Sequence, residues 1–289
     1  MKQPNKKLWT VILLLSALAL VGGIVLYVVT HPWWEKPVDT SQYHSTTQAP
    51  ATTQAPATEA PVITTTQAPD TEAPVTETEA PETTEPLPEN PIDFEALREI
   101  NDDIYAWFYM PMAPDRNDID LPLLQTKWEV DDNFYLHHDL DGSYLYEGCL
   151  YTQKANAKDF TDRMTVIYGH NMLNQAKFSN LLYLQDMDVF NAHEYFYIYT
   201  PGHILTYRIA CAIKFDTRHL LNSFDFSDDQ VFSDWIDNYV INPKSYIRSV
   251  REGMEVTIDD RIVVLSTCIE RGANRYLVQG VLISDEPTQ

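Results

Sequence analysis

The C-terminal two thirds of this chain predict a mainly β domain, an eight-stranded barrel that closes or nearly closes on itself. Three observations carry that prediction. About eight short apolar runs of strand length recur from Tyr105 to Ile283, bounded by turn residues. Helical periodicity is confined to a few segments. The roughly 195 residues concerned suffice for one domain with a substantial core.

Taken in order, Asp93 is placed to cap a helix in which Phe94, Leu97, Ile100 and Ile104 recur at helical spacing. Asn101-Asp102-Asp103 ends it before Tyr105-Ala106-Trp107-Phe108-Tyr109 takes on strand character. Further strands are expected over 119–125, 148–152, 164–170, 195–200, 204–215, 254–258, 262–268 and 275–283. Pro201-Gly202 predicts a tight turn, so the strands on either side of it should form a hairpin. Helices are expected over 179–187 and 227–241. In the second, Ser227 and Gln230 have capping-box spacing, and Val231, Phe232, Trp235, Ile236, Tyr239 and Val240 share one face. Asn242-Pro243 stops it.

The first ninety residues have a different character. Leu8 to Val29 is apolar or small throughout, long enough to cross a bilayer at roughly 20 residues per span. Lys2, Lys6 and Lys7 precede it, so positive charge keeps the N-terminus cytoplasmic and sends the remainder outside. Ser16-Ala17-Leu18-Ala19 resembles a signal-peptide cleavage site, but the apolar run continues past it, which favours an uncleaved anchor. Trp33 and Trp34 then fit the outer interface. Beyond them, repeats of Thr-Thr-Gln-Ala-Pro and Thr-Glu-Ala-Pro offer little to bury and predict a disordered, extended stalk. Such a chain spans up to about 3.1 Å per residue, a reach on the order of a hundred ångströms. The expected organisation is a cytoplasmic N-terminus over 1–7, a transmembrane anchor over 8–29, an extracellular stalk over 30–90 and a folded domain over 91–289. A formal net charge of −22 with no basic patch argues against nucleic acid as a partner.

Two strings carry chemistry. Ile262-Val263-Val264-Leu265 predicts a buried strand that ends in Ser266-Thr267-Cys268, with Arg275 opening the next apolar segment. Met164-Thr165-Val166-Ile167-Tyr168 breaks at Gly169 and presents His170-Asn171-Met172. A thiol needs a base or an electropositive setting to become a thiolate; an imidazole can protonate a leaving amine; a guanidinium can hold an oxyanion. Cys268, His170 and Arg275 together therefore point to covalent acyl chemistry.

These strings also resemble the signature blocks of the sortases, transpeptidases of Gram-positive cell surfaces, and most closely those of class B. The resemblance runs from about Asp93 to Ile283 and takes in Ile119-Asp120-Leu121-Pro122, His138-Asp139-Leu140-Asp141-Gly142 and the long insertion before the Cys strand. It implies an eight-stranded barrel with an N-terminal helical extension and a helix between the sixth and seventh strands. It implies that Cys268 attacks a Thr carbonyl in the C-terminal sorting motif of a secreted protein and holds the product as a thioester. His170 would exchange the protons, Arg275 would steady the oxyanion or the bound peptide, and Tyr168 and Ser266 match positions that touch that peptide. The acceptor would be an amine of a peptidoglycan precursor, or a pilin lysine in a pilus-building enzyme. No metal or organic cofactor is required by this chemistry.

Simpler roles compete for several residues. Cys149 and Cys211 fit small buried apolar positions, and an odd cysteine count leaves their pairing open. His137 and His138 are adjacent, which would point their side chains apart on an extended segment and favours structural roles over metal ligation. Arg271 lies nearer Cys268 in sequence than Arg275, but Arg275 stands at the base of an alternating strand. Leu150-Tyr151-Thr152-Gln153 lacks the acidic residue expected of the family after that strand, and 269–274 is a short loop, both of which bear on substrate preference. Two other classes remain open at this level. A wall hydrolase or L,D-transpeptidase would carry its His and Cys in one motif; a non-catalytic surface adhesin would share the anchor and stalk.

Overall fold

The computed structural model describes Ala19 and residues 38–43, 87–112 and 116–289. The expected anchor, apart from Ala19, and the Thr/Pro/Glu repeats lie outside those residues. Among the described residues no helix is long and apolar enough to cross a membrane.

Helix α1, Phe94–Ile100, starts where the sequence predicts: the Asp93 carboxylate accepts the Ala96 N–H at 2.9 Å, and Asn101 ends it. Among the described residues nine strands follow: β1 Ile104–Met110, β2 Ile119–Leu124, β3 Leu150–Thr152, β4 Met164–Tyr168, β5 Tyr195–Thr200, β6 His203–Phe215, β7 Arg248–Val250, β8 Ile262–Ile269 and β9 Asn274–Pro287. Their order is β5-β1-β2-β3-β4-β8-β9-β6-β7, and β5 also pairs with β6. That pairing closes an eight-stranded barrel, with β7 added beside the far half of β6 at Cys211–Val250 to Ile213–Arg248. Closure leaves no long edge to aggregate. The hairpin at Pro201-Gly202 forms as expected, with Thr200 opposite His203.

Period-two alternation explains how both faces of the wall are buried. On β1, Ala106, Phe108 and Met110 face the barrel interior, while Trp107 and Tyr109 join α1 residues Phe94 and Leu97 outside. On β8, Val263 and Leu265 point in, and Ile262 and Val264 pack outward beneath a helical layer. That layer comprises α3, Leu220–Ser223, and α4, Asp229–Trp235, which widens into a π-helical turn over Ile236–Ile241. Phe232, Trp235, Ile236 and Val240 supply its buried face.

Three expectations are corrected. No strand forms over 254–258: Gly253 turns the chain at φ +74°, and Asp260 captures the N–H and hydroxyl of Thr257, so Val256 is buried without a ladder. The strand in this region is β7 instead. The helix expected over 179–187 is a 3₁₀ stretch, Ser179–Gln185, followed by α2, Met187–Ala192. Asp186 restarts it by accepting the N–H groups of Asp188 and Val189. Finally, α4 is capped by Asp228 rather than Ser227. The Asp228 carboxylate takes the N–H groups of Gln230 and Val231, and the Ser227 hydroxyl donates to Asp225.

Two pieces of the segment expected as stalk lie on the domain. Val38 N–H donates to Asp139 Oδ2 at 2.6 Å, Asp93 N–H donates to the Tyr43 carbonyl at 2.9 Å, and Val38 and Tyr43 pack against the cluster beneath α1. Asn90 Nδ2 donates to the Thr200 carbonyl, and Gln289 N–H to that of Pro88.

Candidate active site

Strand pairing assembles the site. β4 and β8 run parallel with Tyr168 opposite Ser266, so the chain leaves both strands at the same end of the barrel. Three hydrogen bonds extend the contact past the strand ends. Gly169 N–H donates to the Ser266 carbonyl at 3.2 Å, Thr267 Oγ1 to the Gly169 carbonyl at 2.7 Å, and Asn171 Nδ2 to the Cys268 carbonyl at 3.0 Å. His170 is thus locked between two residues tied to the Cys268 segment. β9 returns antiparallel to β8 with Arg275 directly opposite Cys268, and Arg275 Nη1 donates to Cys268 Sγ at 3.1 Å.

Cys268, His170 and Arg275 are all half-buried. His170 Nε2 lies 2.8 Å from the Leu136 carbonyl. A carbonyl only accepts, so Nε2 carries a hydrogen and Nδ1 is left to exchange protons. Burial pushes the His170 pKa below its ordinary value, the Leu136 bond opposes that shift, and His137 adds to it. Residues of the 3₁₀ turn Phe134–Leu136 and the loop after it were not expected near the site. A backbone carbonyl that orients a histidine has no signature in sequence.

A cavity of about 170 Å³ opens beside the thiol, lined by Leu136, Tyr151, Tyr168, Ser266, Cys268 and Arg275 among others. Tyr168 and Ser266 therefore share this pocket with Cys268 and Arg275, while His170 lies next to its Gly169 wall outside the lining, and the Tyr168 ring stacks on Tyr151 at 5.4 Å. Arg271 is exposed at the tip of the β8–β9 loop. His138 stacks on Phe134 at 3.7 Å and bonds the Phe134 carbonyl, whereas the His137 ring lies 5.2 Å from that of His170. Cys149 and Cys211 are free, buried in different clusters, and burial pushes both thiols up to about 12. Neither is suited to nucleophilic attack.

No family model matches the chain. It is 29% identical over 195 residues to the sortase B of Listeria monocytogenes, covering 65% of this chain and 73% of that relative. It is 26% identical over 175 residues to the sortase B of Staphylococcus aureus, covering 61% and 67%. Among solved structures it superposes on sortase B of Bacillus anthracis in complex with AAEK1 with a TM-score of 0.58 and 26% identity, over 69% of this chain and 89% of that one. A cysteine-to-serine form of Clostridium perfringens sortase B gives a TM-score of 0.58 and 26% identity, over 66% and 87%. In sequence and in fold alike the chain is similar to class B sortases. As a sortase it is a cysteine transpeptidase, and its barrel, N-terminal helical extension and helical layer after the sixth strand follow the expected plan.

Proposed function

We propose that Cys268 is the nucleophile of this sortase, His170 its general acid and base, and Arg275 its oxyanion partner. The observation that carries the reading is the 3.1 Å contact between Arg275 Nη1 and Cys268 Sγ, beside the His170 loop. The Cys268 thiol gives its proton to His170 Nδ1, and the thiolate attacks the Thr carbonyl carbon of a sorting motif; a C–S bond forms and the electrons move to oxygen, where the Arg275 fork holds them. Collapse breaks the C–N bond, and His170 Nδ1 protonates the departing amine. The incoming amine gives its proton back to His170, a new C–N bond forms, and the thiolate leaves. Tyr168 and Ser266, on the cavity wall, hold the peptide across the thiol.

The substrates in this reading are secreted proteins with a C-terminal sorting motif, and the acceptor is an amine of a peptidoglycan precursor. The enzyme is anchored by residues 8–29 with its barrel outside the cell. The contacts of Val38 and Tyr43 support a short spacer, because only residues 30–37 separate that anchor from the domain. Even fully extended, at about 3.3–3.6 Å per residue, a spacer of that length reaches at most roughly 30 Å, so the barrel works close to the membrane.

Quenched fluorescent peptides of the Leu-Pro-x-Thr-Gly and Asn-Pro-x-Thr types, offered with an amine to detergent-solubilised full-length enzyme, test the reading. Cleavage after Thr with amine-linked product, lost in Cys268→Ala, is the expected result. Cleavage that persists in Cys268→Ala would sink it.

A further inference from the structure

The loop between β8 and β9 separates Cys268 from Arg275, and its backbone is strained. Glu270 and Arg271 have φ of 51° and 58°, and Gly272 follows at 87°. Only the glycine adopts that region without penalty. Two successive side-chain-bearing residues stay there only where their surroundings hold them.

The Glu270 carboxylate is held from both sides. Lys214 Nζ donates to Oε1 at 2.5 Å, and Asn274 Nδ2 donates to Oε2 at 2.6 Å. The Tyr246 hydroxyl lies 3.5 Å from Oε1, bonds the Lys214 ammonium, and presents its ring 4.6 Å from that charge. Lys214 belongs to β6, where it faces Tyr276 of β9, and its neighbour Phe215 faces Arg275. The contacts therefore fasten the loop tip to β6 at the level where Arg275 leaves the strand. Each partner shifts the other toward its charged form, Lys214 upward and Glu270 downward. A partly exposed ion pair adds little to global stability, so its effect belongs in the site.

We propose that Lys214, Glu270 and Asn274, braced by Tyr246, form a clamp that sets the reach of Arg275 to Cys268, making Lys214 and Glu270 positioning residues for acyl transfer. This rests on the roles given above to Cys268 and Arg275. With the clamp open, the loop relaxes, Arg275 loses its register, and the thiolate and oxyanion lose their cation together.

The test uses full-length enzyme in detergent, a cleaved sorting peptide, and iodoacetamide as a direct probe of Cys268. Lys214→Met and Glu270→Ala should each lower kcat about tenfold with KM changed less than about twofold, the signature of a lost transition-state contact. Both should also slow Cys268 alkylation at neutral pH while the melting temperature holds. Lys214→Arg, which keeps the cation, should recover most of the loss. An unchanged kcat and alkylation rate in both variants would overturn the clamp, and so would a rise in KM alone, which would make Glu270 a substrate contact. Arg275→Ala separates the two failures. If it abolishes turnover while the clamp variants do not, only the clamp is wrong; if it retains full kcat, the role of Arg275 falls and takes the clamp with it.

Discussion

His170 is held in one tautomer by the Leu136 carbonyl, and burial keeps it neutral to lower pH than an ordinary histidine. The folded chain therefore takes up this proton later, on acidification, than the unfolded chain does. Stability attributable to His170 falls as pH drops through the ordinary value of 6.5, and the loss is complete below the depressed folded value. NMR titration of the imidazole in the Cys268→Ala protein should give a midpoint below 6.5, and His137→Phe should raise it, since His137 opposes the charge. A midpoint at or above the ordinary value would contradict the burial seen here. For Arg275, the fork matters as well as the charge. Arg275→Lys keeps a cation but loses the planar donors, so kcat should fall by about 10²-fold in steady-state peptide cleavage, with little change in folding. The site residues were legible because each is a rare chemical type at a strand end; the Leu136 carbonyl and the nearness of His137 were not, because they depend on a loop from elsewhere in the chain.

At the level of elements, two contacts place the strands that carry the site. Gly169 lies where β4 ends, and a Cβ there would meet Leu150 Cδ2 at 2.5 Å and Phe178 Cδ2 at 2.6 Å. Gly169→Ala should cost about 1–3 kcal/mol in urea unfolding and also lower kcat, because the displaced backbone carries His170. A variant with wild-type stability and rate would show that the packing yields without cost. Gln279, fully buried on β9, ties the helical layer to the barrel: Trp235 Nε1 donates to its Oε1 at 2.9 Å, and its Nε2 donates to the Tyr239 carbonyl at 2.6 Å. Gln279→Ala strands a buried donor and a carbonyl, and should lower unfolding free energy by about 2–4 kcal/mol, measured the same way. Elements with strong periodicity were readable in advance, as α1 and the β5–β6 hairpin were. Those decided by competing side chains were not. Asp228 outbid Ser227 for the helix start, Asp186 restarted a helix, and Asp260 held the Thr257 turn where apolar alternation alone suggested a strand.

Across the whole molecule, residues 38–43 pack and hydrogen-bond onto the folded unit that starts at Leu87. A chain starting at Leu87 should therefore be less stable than one starting at Lys36, by about 1–2 kcal/mol for the lost hydrogen bonds and packing, in paired chemical denaturation. Equal stability would mean that Val38 and Tyr43 contribute nothing to the fold. The sequence by itself determined the class of the domain, the thiol, imidazole and guanidinium at strand ends, and the family resemblance, because alternation and rare reactive residues are local properties that survive without coordinates. Only the tertiary structure decided which strands neighbour one another. Parallel pairing of β4 with β8 brings His170 to Cys268 across a long stretch of chain, and the register of β8 with β9 sets Arg275 rather than Arg271 against the sulfur. The structure also left Cys149 and Cys211 unpaired, in separate clusters outside the barrel interior, and fastened the β8–β9 tip through Lys214. These are long-range choices, fixed by how the whole barrel closes and not by any segment's own preferences.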